Sequence, residues 1–157
     1  MAAVDPSDEG TRPAHAQEIL TWGLSIAGED GELHAASAWR ASGETLLRGR
    51  VRPDELDEYV RSSEDDARSR LNELLASVGN PLEAERVHLL KGHPREILPS
   101  FVEQQEFDLV VLGSIGRVGV AGLFIGETAE TFIRSVRASV FTVKPPGFES
   151  PVQLPDD

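Results

Sequence analysis

Apolar and polar positions change their period several times along this chain, and the changes divide it into strands and helices. Short apolar runs, typical of buried strands, alternate with helical patterns. The predicted strands are Met1–Asp5, Glu32–Trp39, Glu85–Leu90, Leu109–Leu112 and Ser139–Val143. The predicted helices are Pro13–Ala27, Pro53–Val78, Pro94–Gln105 and one that follows Gly126. This alternation predicts a parallel sheet with helices on both faces and right-handed crossovers.

The clearest helix begins at Pro53, because a proline followed by acidic residues is typical of a first helical turn. Its apolar residues recur every three or four positions, which predicts one inward stripe. The stripe comprises Leu56, Tyr59, Val60, Ala67, Leu71, Leu74, Leu75 and Val78.

Three further expectations concern single segments. Residues Arg40 to Arg52 are expected to form a long polar loop. Pro99 predicts either a kink in the third helix or a helix that begins near Leu98. The last helix is expected to turn one apolar side inward, with Phe132, Ile133 and Val136.

Composition narrows the classes of function. A chain of 157 residues, 39% hydrophobic and 27% charged, suits one globular domain with a sizeable core. The absence of cysteine excludes disulfides and thiolate chemistry. The net charge of −12 argues against nucleic-acid binding, which needs clustered lysine and arginine, and it repels nucleotides unless one local site reverses the field. No apolar run suits a membrane span and no signal peptide is evident, so the cytoplasm is the expected location.

A glycine-rich segment after the fourth strand carries the candidate chemistry. It reads G-S-I-G-R-V-G-V-A-G-L-F-I-G-E-T from Gly113 to Thr128. A strand, a glycine-rich loop and a helix together allow backbone N–H groups and a helix N-terminus to hold an anion. Loops of this kind also serve simply as turns, and that alternative stays open.

The glycine spacing, with two residues between Gly113 and Gly116 and nine before Gly126, resembles the nucleotide loop of the universal stress protein family. Residues Gly92–Pro99 and the segment from Val143 through Leu154 look like the second half of its tandem, E-type branch. The resemblance implies a Rossmann-like, adenine nucleotide alpha-hydrolase-like fold with strand order 3-2-1-4-5. Its ligand crevice would lie at the carboxyl ends of strands 1 and 4, where the order reverses.

The resemblance also implies a domain boundary and a set of nucleotide contacts. The universal stress protein domain would span residues 1–147, and residues 148–157 would form an extended acidic tail. The implied nucleotide-binding residues are Asp5, Trp39, Gly113, Ser114, Gly116, Arg117, Gly126, Glu127 and Thr128. Asp5 would accept hydrogen bonds from a ribose hydroxyl, or else form an Asx turn before Pro6. Trp39 would stack on the base or fill the pocket.

Glu127 departs from the family pattern, because ATP-binding members carry serine or threonine there and an ionised carboxylate cannot donate a hydrogen bond. Two unit charges at 4 Å repel by about 4 kcal/mol at a dielectric of 20, whereas a helix dipole offers an anion about 0.3–2 kcal/mol. Repulsion should win unless Glu127 turns outward or Mg²⁺ bridges, and Thr128 would substitute imperfectly. We therefore expect ATP to bind no tighter than high micromolar, and Glu127→Ser to tighten binding by about tenfold or more.

No catalytic or metal site is predicted. The histidines at positions 15, 34, 88 and 93 lack metal-ligand spacing, and Ser114 lacks the surroundings of a nucleophile elbow. The resemblance implies a nonenzymatic stress-response module with a weak or vestigial site for ATP or AMP, with Mg²⁺ bound only beside the nucleotide. One alternative is an ATP-binding switch with slow hydrolysis, and another is a carrier of a small apolar ligand.

The last strand predicts an assembly. Ser139–Val143 would be an uncharged, β-branched edge strand, and such edges invite pairing. In the resembled family this strand pairs across a two-fold axis. We expect a homodimer through Val140, Phe141 and Val143, or a pseudo-dimer with a missing N-terminal half.

Overall fold

Five parallel strands form a single sheet in the computed structural model, which describes residues 1–7, 12–79, 82–114 and 126–148. In chain order the strands are β1 (Ala2–Ala3), β2 (Ala35–Trp39), β3 (Val87–Lys91), β4 (Leu109–Gly113) and β5 (Ser139–Val143). Their spatial order is β3-β2-β1-β4-β5, and each neighbouring pair is parallel. The predicted sheet order is confirmed.

The β1 strand is short: it covers only two residues, whereas strands of about five or six residues are usual. Its backbone is nevertheless bonded on both sides. The Val4 N–H donates to the Ala36 carbonyl at 2.9 Å, and the Val111 N–H donates to the Met1 carbonyl at 2.8 Å. The segment therefore occupies the centre of the sheet and directs the chain to its carboxyl edge at Asp5.

The helices of the described residues are α1 (Arg12–Ala27), α2 (Glu44–Leu47), α3 (Pro53–Ser77), α4 (Pro94–Gln104) and α5 (Glu127–Ser135), with a 3₁₀ turn at Ala84–Arg86. The α3 helix begins at Pro53, as its sequence indicated. The expected continuous loop from Arg40 to Arg52 is wrong, because α2 lies within it. No helix among these ranges is long and apolar enough to cross a membrane.

The α4 helix begins at Pro94 and continues through Pro99, so a start near Leu98 is wrong. His93 stabilises the earlier start, since its Nδ1 accepts a hydrogen bond from the Arg95 N–H at 3.3 Å. Leu98, Pro99 and Val102 are the buried residues of this helix.

Side chains alternate between two cores on the two faces of the sheet. Helices α1 and α3 cover one face, and α4 and α5 cover the other. Along β4, Val111 belongs to the first core, while Val110 and Leu112 belong to the second. Helices thus cover both faces of the sheet.

The expectation for α5 is wrong at one residue. Phe132 is fully buried, but Ile133 is 50% exposed. Successive helical residues point about 100° apart, so only one of two neighbours can face the sheet directly. Val136 ends the helix and packs against the same core as Phe132.

Candidate functional site

The carboxyl ends of β1 and β2 border a polar cleft of about 130 Å³. It is lined by Asp5, Pro6, Ser7, Ser37, Ala38, Trp39, Arg40, Ser63, Ala67 and Arg70. The neighbouring strand on the other side of β1 is β4, because Ala3 is in register with Leu112. Asp5 and the first residues of the glycine-rich segment therefore follow adjacent strands, as the sheet order requires.

Asp5 lines the cleft and is held by a local turn. Its Oδ1 accepts a hydrogen bond from the Ser7 N–H at 3.2 Å. This is the Asx-turn geometry that the sequence left open. A carboxylate has acceptor sites for several donors, and the turn orients that of Asp5 at the cleft.

Trp39 fills space between β2 and α3. The residue is 8% exposed and packs against Ala41 and Ala67. Lys91 Nζ lies 5.5 Å from the centroid of the indole ring. The indole borders the cleft while most of its surface is in the core, and this geometry favours filling over stacking on a base.

Two backbone hydrogen bonds join the ends of the glycine-rich segment to the sheet. The Ser114 N–H donates to the Val143 carbonyl at 2.9 Å, and the Gly126 N–H donates to the Ser114 carbonyl at 2.6 Å. The N-terminus of α5 therefore starts beside the end of β4. Gly116 and Arg117, two of the predicted contacts, lie outside the described residues.

Glu127 is the first residue of α5, and its side chain turns outward. The side chain is 80% exposed, and its Oε2 lies 3.0 Å from Arg95 Nη1. Thr128 follows it within the first turn of the helix. The repulsion of phosphate expected from the sequence assumed that the Glu127 carboxylate points at the ligand. The observed side chain points outward, which is the case in which that repulsion was not expected to win.

Two arginines at the cleft were missed from the sequence. Arg40 directly follows β2, and Arg70 lies one turn beyond Ala67 on α3. Their positions carried a signal, because a residue after a strand lies at the carboxyl edge and the α3 stripe fixes which residues approach β2. Both cations line the cleft of a chain whose net charge is −12, where they stand beside the carboxylate of Asp5.

A second cluster lies near the amino ends of β2 and β3, away from the cleft. His34 Nδ1 and His88 Nε2 are 2.9 Å apart, and their rings stack with centroids separated by 5.2 Å. Burial lowers the pKa of both imidazoles, although Glu32, at 3.9 Å, raises the pKa of His34 in part. This pairing could not be predicted from spacing, because 54 positions separate the two histidines. Within the described ranges, no group of three or more potential ligand residues is arranged to hold a metal ion.

The β5 strand is an edge of the sheet, as predicted. Phe141 is exposed on it, and its ring centroid lies 5.4 Å from that of Trp22 on α1, which is also exposed. Val140 is half-buried, whereas the side chain of Val143 is buried in the first core. The edge of the sheet therefore exposes the β5 backbone next to the Trp22–Phe141 aromatic pair.

Comparison with known proteins gives a consistent result. The sequence model described as "Universal stress protein family" matches residues 1–144. Universal stress protein E of Escherichia coli K12 is 39% identical over 70 residues, which are 45% of this chain and 22% of that protein. The matched segment thus covers less than a quarter of the length of that relative.

Two solved structures share the fold. A putative universal stress protein from Pseudomonas aeruginosa UCBPP-PA14 superposes with a TM-score of 0.67 at 24% identity, covering 92% of this chain and 46% of that one. A universal stress protein in complex with cAMP superposes with a TM-score of 0.51 at 19% identity, covering 91% of this chain and 94% of that one.

Proposed function

Because this chain belongs to the universal stress protein family, we propose that it is a nonenzymatic stress-response module whose cleft binds an adenine nucleotide weakly. The observation that carries the proposal is the convergence of Asp5, Arg40 and Arg70 on one cleft at the carboxyl end of β1, the strand that pairs with β4. A carboxylate suits ribose hydroxyls, and guanidinium groups suit phosphate.

The class of ligand follows from the lining of the cleft. Serines, arginines and Asp5 dominate it, which opposes a carrier of small apolar molecules. A related structure holds cAMP, an adenine nucleotide. The volume of about 130 Å³ is below the ~300–1,000 Å³ of typical small-molecule pockets, and Trp39 occupies nearby space. We therefore propose weak binding of ATP or AMP, with Mg²⁺ bound only beside the nucleotide.

One observation favours the alternative of a genuine ATP-binding switch with slow hydrolysis. Glu127 turns away and pairs with Arg95, which reduces its repulsion of phosphate. Under this alternative, MgATP would bind in the low micromolar range and would be hydrolysed slowly.

The decisive experiment has two parts. Mass spectrometry identifies small molecules released from the purified, denatured protein, and calorimetry measures binding of MgATP, AMP and cAMP. We expect dissociation constants in the high micromolar range. Arg70→Ala should weaken binding about tenfold, since a charge-assisted hydrogen bond contributes about 1.5–3 kcal/mol. Arg68→Ala is the matched control, because Arg68 pairs with Glu64 on the same helix and is not among the residues that line the cleft.

Each possible result has a meaning. Low-micromolar MgATP affinity with measurable phosphate release would favour the switch. The absence of any copurified nucleotide, together with no heat of binding from the three ligands, would overturn the nucleotide proposal. Equal losses in Arg70→Ala and Arg68→Ala would show a general charge effect and would remove the cleft as the binding site.

We further propose that β5 pairs across a two-fold axis with a second copy, or with a preceding half in a tandem arrangement. The outer edge of β5, which pairs with no strand among the described residues, and the exposed Trp22–Phe141 pair support this assembly.

A further inference from the structure

His15 is a buried imidazole in the first turn of α1, against Gly113 at the end of β4. The residue is 9% exposed, and neither of its ring nitrogens has a hydrogen-bond partner in the part of the chain that the structure describes. Ser114, at the end of β4, is 2% exposed, and its Oγ is likewise without a partner there. Two unsatisfied polar side chains thus flank the start of the glycine-rich segment.

Gly113 brings His15 to this place. A Cβ atom added at Gly113 would lie 2.5 Å from His15 Nε2 and 3.4 Å from Ile19 Cδ1. Any larger residue at position 113 would therefore collide with the imidazole. The missing side chain leaves the ring in direct contact with the last residue of β4, from which the glycine-rich segment departs.

The arrangement has a cost that packing alone does not explain. A buried polar group without a partner costs about 1–3 kcal/mol, and buried polar side chains in folded proteins are seldom left in this state. Leucine would fill such a position on α1 without that cost. An imidazole kept here therefore points to a partner that arrives with a ligand.

We propose that His15 is a contact residue of the nucleotide site, where its imidazole donates a hydrogen bond to a phosphate oxygen held at the carboxyl end of β4. The inference rests on the proposed function and adds to it a residue from α1. Ser114 Oγ, a donor at the end of the same strand, contacts the same phosphate group.

The charges around His15 set a direction for the effect of pH. Burial lowers the pKa of His15, and Glu18, nearly one turn further along α1, raises it in part. The strands that α1 covers, β1, β4 and β5, contain no ionisable side chain, and among the described residues no charged group of α3, which also packs against α1, shifts the pKa of His15. An adjacent phosphate favours the charged imidazole and raises its pKa. Binding should therefore take up protons, and the affinity should fall as the pH rises through the pKa of His15 in the complex.

The test compares two variants of the full chain. His15→Leu removes the donor and both buried nitrogens, whereas His15→Gln keeps a donor that does not titrate. Calorimetry with MgATP at pH 6, 7 and 8, in buffers of different ionisation enthalpy, gives affinity and proton uptake. Urea unfolding gives stability. His88→Leu is the matched control, since it removes a partly buried imidazole far from the cleft.

We expect His15→Leu to unfold at no lower urea concentration than the unmodified protein and to bind MgATP about tenfold more weakly, a loss of about 1.4 kcal/mol. His15→Gln should bind within about threefold of the unmodified protein and show no proton uptake. His88→Leu should leave the affinity unchanged. If the affinity and the proton uptake are unchanged in His15→Leu, His15 serves only in packing or binds only a buried water. That result would overturn the inference without affecting the proposal that the protein binds a nucleotide.

A separate measurement keeps the inference testable if the unmodified protein binds no nucleotide or if His15→Leu fails to fold. Sodium tripolyphosphate is titrated into the unmodified protein while NMR follows the imidazole nitrogens. A saturable shift at His15 and not at His88 would support a phosphate contact even where the adenine-nucleotide proposal has failed. Absence of a shift at His15 would overturn the inference.

Discussion

The ion pair between Arg95 and Glu127 reduces the repulsion that a carboxylate at the start of α5 would exert on a phosphate ligand. An exposed pair contributes little to stability, with a median of about 0–1 kcal/mol. Its effect on binding is electrostatic, because Arg95 neutralises the charge that would repel phosphate, and the 80% exposed carboxylate is further screened by water. The tenfold gain expected for Glu127→Ser presumed an inward, unneutralised carboxylate.

We now expect Glu127→Ser to tighten MgATP binding by less than about tenfold in the unmodified background, and by more in an Arg95→Ala background, where the carboxylate is no longer neutralised. Calorimetry on the four proteins of this double-mutant cycle gives the coupling between the two residues. Equal gains in both backgrounds would mean that Arg95 does not shield the site.

The orientation of Glu127 illustrates why residue-level chemistry was hard to predict. The residue type and its place at a helix N-terminus could be predicted from the sequence. Its direction depends on Arg95, which is 32 positions away in the chain and lies on α4, packed against α5. The arginines of the cleft were missed for a similar reason, since Arg40 and Arg70 meet only when α3 packs against β2.

At the scale of the element, α5 shows how burial divides neighbouring apolar residues. Phe132 is among the largest fully buried side chains of the described residues, whereas half of the surface of Ile133 is exposed. Burial of a large aromatic side chain stabilises a fold far more than an exposed aliphatic one does. The helix that begins at the proposed site is therefore anchored mainly through one residue.

Phe132→Ala should reduce the free energy of unfolding by about 3–5 kcal/mol, because it leaves a cavity in the second core. Ile133→Ala, the adjacent control, should change it by less than about 0.5 kcal/mol. Urea unfolding followed by circular dichroism measures both. Comparable losses in the two variants would show that Ile133 is covered in solution, for instance by a partner.

Elements were predictable in proportion to the strength of their pattern. The α3 helix has a proline at its start and a long apolar stripe, and Pro53–Ser77 differs from the expectation by a single residue at its end. The four residues of α2 lie in a segment without apolar period, and β1 has too few residues to show one. Their positions are set by the hydrogen bonds of neighbouring strands and turns, which no local pattern encodes.

At the scale of the whole molecule, the edge at β5, unpaired within the part of the chain that the structure describes, governs the expected assembly. The described sheet ends at β5. The exposed Phe141 of this strand packs against Trp22 on α1. Both halves of a two-fold interface would present the same edge, so the contact is self-complementary. The alternation of elements predicted a parallel sheet, while the order of its strands, which creates this edge, followed from the family resemblance.

Val140→Glu should shift the protein from dimer to monomer, because two carboxylates would meet near the axis. Light scattering with size-exclusion chromatography measures the mass, and circular dichroism checks the fold. Phe141→Glu, at a more exposed position, is a second variant that disturbs the core less. Leu46→Glu is the control, since Leu46 is an exposed apolar residue on α2. A monomeric unmodified protein at tens of micromolar would contradict the proposed assembly.

The parallel direction of the strands also separates two proton-binding regions. A five-residue strand is about 16 Å long, which is roughly twice the screening length of about 8 Å in physiological salt. A charge gained by His34 or His88 at the amino ends therefore lies about two screening lengths from the cleft, although its partly buried position weakens the screening.

Because burial lowers the pKa of both imidazoles, the unfolded chain binds more protons than the folded one as the pH falls below about 6.5, and stability declines there. Acid sensitivity of folding thus has contributions from His34 and His88 at the amino ends and from His15, whose pKa burial also lowers, whereas the proposed proton dependence of binding involves His15 alone. A substitution at His34 or His88 should therefore change the acid sensitivity of folding without changing the proton dependence of binding.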